Sequence, residues 1–154
     1  MPRTARVLRF ATLPLSLMLV HSAFGANHFY ASTSGSSGGS GSISSPWSQA
    51  YAFSGAGGAV HAGDTVYFRG GVYPNPTSGQ NNGDANTGYV AFPITVSTGT
   101  SSAPVIYRAY PGERPVLDGM DTKQADIVQF QRPNIWLWGF ELMISNPQSQ
   151  MLGR

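Results

Sequence analysis

The chain has 154 residues, with nine Lys and Arg against seven Asp and Glu, and it contains no Cys. That length holds one domain or part of one, and the missing cysteines exclude a disulfide framework and a thiolate-ligated zinc site. Only 10% of the residues are charged while 41% are hydrophobic and 12% aromatic, which is too apolar for a wholly disordered chain and too poor in clustered Lys and Arg for a nucleic-acid-binding face.

The first 25 residues read as a secretory leader. Arg3, Arg6 and Arg9 form a positive start, Phe10 to Val20 is mostly apolar, and Ala23-Phe24-Gly25 places small residues at positions −3 and −1 of a cut after Gly25. A membrane anchor is the competing reading, but the apolar stretch is short for one and is broken by Pro14. Export makes the protein secreted or periplasmic, with no membrane contact once the leader is gone. Removing the three arginines leaves six basic residues against seven acidic ones, so the excess positive charge belongs to the leader.

Residues 26–63 are expected to hold a first strand, a loop and an N-terminal cap. His28 to Ser32 is a short aromatic strand. Ser34 to Ser45 is almost entirely Ser and Gly, either a flexible linker or a long loop within the domain. Ser45-Pro46-Trp47 predicts a helix start, with Ser at the N-cap and Pro at the first helical position. Trp47, Ala50, Tyr51 and Ser54 would share a face for one or two turns, until Gly55, Gly57 and Gly58 end the helix.

Residues 64–146 read as short strands between turns. Thr65 to Arg69 alternates, with Val66 and Phe68 on one side and Tyr67 on the other. Gly70-Gly71 breaks it and Val72-Tyr73 resumes. Residues 74–88 form the longest loop, and 94–97 another short strand. Val105 to Tyr110 alternates again, Val116-Leu117 is brief, and 127–130 follows. Ile135 to Leu142 is the most hydrophobic strand. Asn82-Gly83, the one Asn-Gly pair, lies inside the long loop instead of joining two strands. Short strands joined by turns that bend the chain suit an all-β parallel solenoid; a small antiparallel sandwich is the alternative.

The stretch Gly63-Asp64-Thr65-Val66-Tyr67-Phe68-Arg69-Gly70-Gly71-Val72-Tyr73 resembles the "pGDTVyvrgGtY" signature of secreted right-handed parallel β-helix proteins of the pectate-lyase-like superfamily. Residues 103–119, APVIYRAYPGERPVLDG, resemble their next segment, "aPi.iraypGErPvidG", and 134–142, NIWLWGFEL, their following coil, "nyvtieGfei". The opening strand at 28–32 and Ser45-Pro46-Trp47 match the family's first strand and cap. The resemblance runs from residue 28 to about residue 146. It implies a right-handed parallel β-helix of which this chain holds the N-terminal cap and first coils. It makes residues 34–45 a loop between first strand and cap, and it implies that Asp64 holds the turn into the first stacked strand through backbone N–H groups.

The superfamily includes polysaccharide lyases, glycoside hydrolases and proteins without known catalysis, so the resemblance implies a polysaccharide partner and leaves the activity open. A polyuronide lyase or hydrolase is one expectation for the full-length form; a non-catalytic surface or adhesion protein, or an inactive fragment, is the alternative, and this chain alone is expected to be inactive. A polyuronide lyase needs a cation, often Ca2+, and a Lys or Arg base. Asp118, Asp121, Lys123 and Asp126 supply those residue types, but the Asp-x-Asx-x-Asx-Gly calcium pattern is absent, and solvated turn residues are the expectation. No cofactor is identifiable from these residues; Ca2+ would belong to a full-length form, and no catalytic residue can be carried over.

Trp136 and Trp138 are the candidate substrate-binding residues. With Ile135 and Leu137 inward, both indoles face outward from one strand and can stack on sugar faces; the alternative is packing beneath loops or against a further coil. Tyr67 and Tyr110 would be outward neighbours of the same kind. Arg108 and Arg114 could meet sugar carboxylates, or pair with Glu113 or Asp118. His28 and His61 have neither a metal partner nor a nucleophile beside them in sequence. Residues 147–154 read as a polar tail without a cap, so further C-terminal coils are expected beyond them.

Overall fold

The computed structural model describes residues 25–75, 89–96, 98–120 and 124–145 of the chain. The expected leader through residue 24, the Asn82-Gly83 loop, Asp121, Lys123 and the tail lie outside the described residues. The elements are β1 (His28–Ala31), α1 (Gln49–Phe53), a 3₁₀ turn (Ala56–Gly58), β2 (Thr65–Phe68), β3 (Gly71–Pro74), β4 (Tyr89–Ile94), β5 (Val105–Ala109), β6 (Pro115–Asp118), β7 (Gln124–Phe130), β8 (Ile135–Trp138) and β9 (Glu141–Met143).

Every named strand pair is parallel. The strands form three sheets, ordered β1-β2-β5-β8, β3-β6-β9 and β4-β7. The chain therefore visits each sheet in turn and returns one rung higher, as β2-β3-β4, then β5-β6-β7, then β8-β9. This is a parallel β-helix, and the antiparallel sandwich is excluded. The sole antiparallel bridge among the described residues joins Ser42 to Ser45, inside the Ser/Gly loop. No described helix is long and apolar enough to cross a membrane.

Period-two alternation builds the core. Val66 and Phe68 of β2 point inward, as do Val105 and Tyr107 of β5. Parallel register stacks Val66 on Tyr107 and Tyr107 on Leu137, while Phe68 stands between Ala31 and Ala109. The large ring is thus flanked by small side chains above and below. Phe68 is fully buried, with ring centroids of Phe53 and Phe140 at 5.0 Å and Tyr73 at 5.4 Å. Tyr107 is equally buried and donates its hydroxyl hydrogen to the carbonyl of Ala52 at 2.9 Å, which ties the cap to the second coil. Burial pushes the Tyr107 phenol well above its ordinary pKa.

The cap differs from the expectation. Pro46 and Trp47 do not begin the helix, which starts at Gln49 with Ser48 at its N-cap. Instead Trp47 runs alongside β1. Its N–H donates to the Tyr30 carbonyl (2.9 Å) and its carbonyl accepts from Ser32 N–H (3.0 Å). Those backbone groups are committed to the sheet and cannot enter a helical ladder. The Ser/Gly stretch is a loop within the domain: Gly41 accepts from Tyr30 N–H at 2.8 Å, and the Trp47 indole N–H donates to Gly39 at 2.9 Å. The outer edge of β1 is covered in this way, which is how natural sheets protect an edge. Gly41 is required for close approach, since a Cβ there would lie 2.6 Å from the Trp47 ring.

Two strand boundaries also move. The strand expected at 94–97 lies earlier, at β4, and includes Pro93. In the two-stranded β4-β7 sheet Pro93 sits on an edge strand, where a missing N–H is tolerated. The single strand expected at 135–142 is two, β8 and β9, in different sheets. Gly139 separates them at φ 78°, a conformation that favours glycine, and it packs against Ala109 of the rung below.

Candidate functional site

Asp64 holds the turn into β2 as expected. Its carboxylate is buried, with Oδ1 accepting the backbone N–H of Asn27 at 2.7 Å and Oδ2 that of His61 at 2.7 Å. This anchors the foot of the first sheet and fixes which side chains its outer face presents. Tyr30, Tyr67, Arg108 and Trp138 share one register column across β1, β2, β5 and β8. His28, Thr65, Ile106 and Trp136 share the adjacent column.

The columns are not equivalent surfaces. The rings of Tyr30 and Tyr67 stack at 5.8 Å and 24°. The guanidinium of Arg108 lies over the other neighbour space of Tyr67, 5.7 Å from its centroid, and 5.9 Å from the Trp138 ring. His28 and Tyr110 meet Tyr67 edge-on at 5.5 and 5.9 Å. Tyr67 is therefore half-buried among neighbours, and it is not an open platform like the tryptophans. Trp136 and Trp138 are 53% and 63% exposed and point out from one strand. Residues two apart on a strand stand about 6.6 Å apart, so the two indoles form adjacent platforms beside a cation.

The expected ion pairs are exchanged. Glu113 pairs with Arg69, at 2.7 Å, instead of Arg108 or Arg114. Side-chain hydrogen bonding from Arg69, and then the Gly70 N–H, hold the Glu113 carboxyl below its ordinary pKa. Arg114 pairs with Glu141 of the next rung. Arg108 is left as an exposed cation between aromatic rings, with no carboxylate partner among the described residues. Cation–π contact holds it there. The position was visible in sequence; its stacking was not, because it depends on the register between coils.

Asp118 is not a solvated turn residue. It is buried, and its Oδ1 accepts the N–H groups of Met120 and Ser145, each at 2.9 Å. Burial raises its pKa, yet the hydrogen bonds from Ser145 and Met120 outweigh that and hold it below the ordinary value. Such a carboxylate is occupied with joining two rungs. Asp126 is exposed. Among the described residues no three of His, Asp, Glu or Cys come together as a metal site.

A family model described as "Pel9A-like, right handed beta helix region" matches residues 29–151. The chain belongs to this Pel9A-like β-helix family. Membership makes the coil right-handed, and the expected pectate-lyase-like fold is thereby established. A solved structure described as a rhamnogalacturonan lyase matches with a TM-score of 0.61 at 25% identity, over 76% of this chain and 28% of its own. The structure of pectate lyase Pel9A matches with a TM-score of 0.56 at 22% identity, over 74% of this chain and 27% of its own. The Pel9A-like chain thus spans little more than a quarter of each of these solved proteins. A search of curated proteins found no match.

Proposed function

We propose that this chain is an exported module that binds acidic polysaccharide on the outer face of the β1-β2-β5-β8 sheet. Trp136 and Trp138 stack on successive sugar rings, and Arg108 pairs with a uronate carboxylate beside them. The carrying observation is that two exposed indoles of one strand stand beside a guanidinium, Trp138 in contact with it, that has no acidic partner among the described residues. Indole faces offer apolar, polarisable contact to sugar C–H groups, and a guanidinium offers a planar fork to a carboxylate. A structural neighbour is described as a rhamnogalacturonan lyase, which supports a polysaccharide ligand here. In the whole protein this surface serves a polyuronide lyase or hydrolase, with Ca2+ supplied to residues other than those described.

Calorimetric titration of the exported chain with polygalacturonate, against a neutral glucan, tests the reading. Trp136→Ala and Trp138→Ala are each expected to weaken polygalacturonate binding about tenfold, from lost apolar contact. Arg108→Gln is expected to weaken binding of the acidic polymer and to flatten its salt dependence. Unchanged affinity in all three variants, with the fold intact, would overturn the proposal. Ultraviolet absorbance of an unsaturated product tests for β-elimination in the same sample.

A further inference from the structure

A second site lies away from the tryptophan face, between the exit of β1, the start of α1 and the edge strand β3. There a cavity of about 340 Å³ is lined by Thr33, Ser48, Gln49, Ala50, Tyr73 and Pro74, among others. That is within the range of small-ligand pockets. Gln49 is only 8% exposed, and its side chain makes no hydrogen bond with any described residue. Ser48 stands at the N-cap of α1 without making a side-chain cap bond. The Gln49 amide therefore keeps its two donors and its acceptor available to a ligand in the cavity. A leucine at position 49 would continue the apolar face that Ala52 and Phe53 bury.

The chemistry of the lining narrows the ligand. Among the described residues no charged side chain lines the cavity, so neither an anion nor a metal cation finds a counter-charge among them. Hydroxyls and an amide supply donors and acceptors, while Ala50, Tyr73 and Pro74 supply apolar wall. The edge of β3 adds backbone. Gly71 and Asn75 direct their N–H groups to β6, so alternation in a parallel ladder turns Val72 and Pro74 toward the open side. Pro74 has no N–H to leave unpaired there and offers a carbonyl.

We propose that this cavity is a binding site for a single neutral sugar unit, with the Gln49 amide as its central hydrogen-bonding group. The site is independent of Trp136 and Trp138. The test is a nuclear magnetic resonance titration of the isotope-labelled full chain with D-galactose and D-glucose, with D-galacturonate as the charged comparison. Saturable millimolar shifts of the Gln49 side-chain amide and the Ala50 N–H are expected with at least one neutral sugar. Gln49→Leu is expected to weaken that binding about tenfold. Ala50→Trp, at an exposed position on the mouth, is expected to abolish it by filling the cavity, without disturbing the core. Trp136→Ala should leave these shifts unchanged. No saturable shift with either neutral sugar, equal binding of galacturonate, or undiminished binding in Ala50→Trp would each overturn the assignment.

Discussion

Replacing Asp64 tests whether one buried carboxylate holds the foot of the helix together. In Asp64→Ala, the backbone N–H groups of Asn27 and His61 lose the acceptors they now meet at 2.7 Å, and the Asn27 side-chain amide loses a third contact at 3.2 Å. Hydrogen bonds to a charged group are worth about 1.5–3 kcal/mol each, so the two short ones together contribute about 3–6 kcal/mol. Against a typical domain stability of about 5–15 kcal/mol, that leaves the variant marginal. Asp64→Asn keeps the shape and one acceptor. Whichever way its amide turns, an NH2 group faces one of the two backbone donors, so a loss of about 1–3 kcal/mol is expected. Urea unfolding of both variants at neutral pH measures the difference, with unchanged m-values expected. If Asn and Ala variants both unfold within about 0.5 kcal/mol of the parent, a threshold typical of surface changes, the carboxylate is not the anchor described.

Phe68→Ala should be at least as damaging. The ring is fully buried among Phe53, Tyr73 and Phe140, and removing such a ring costs about 3–5 kcal/mol in chemical denaturation. Acid should destabilise the coil through Asp118 and Glu113, whose pKa values are both depressed in the folded state. Their contribution is fully present above the unfolded carboxylate value of about 4 and is lost as pH falls through the lower folded values. A pH series of thermal melts should therefore turn downward below about pH 4, and Asp118→Asn should flatten that limb. Gly139→Ala should lower stability by about 1 kcal/mol or more, since it forces a side chain into a left-handed conformation. A melt equal to the parent's would count against the corner.

Much of this architecture was legible because parallel coils repeat a local pattern. The alternation at Thr65–Phe68 and Val105–Ala109 set Val66 with Phe68 and Val105 with Tyr107 on common faces, and the structure buries both pairs, although Thr65 is buried as well. Asp64 could be read as a turn anchor because its sequence neighbourhood is a turn. What could not be read depends on contacts between rungs. Asp118 looked solvent-facing because Ser145, 27 residues away, supplies one of its donors. Arg108 looked like a salt-bridge partner because its ring neighbours come from β2 and β8. Trp47 looked helical because Ser-Pro precedes it, yet the backbone of β1 competes for the same N–H and C=O groups and wins. The exposure of Trp136 and Trp138 followed from alternation alone.

The covered side of β1 also sets a polarity for self-association. Tyr30 and Ser32 already have their outward backbone groups engaged by Gly41 and Trp47, so a strand from another molecule finds nothing to pair with at that end of the first sheet. Strand addition to the first sheet is therefore directed away from β1, and the coil begins at a border that offers no template for edge-to-edge association.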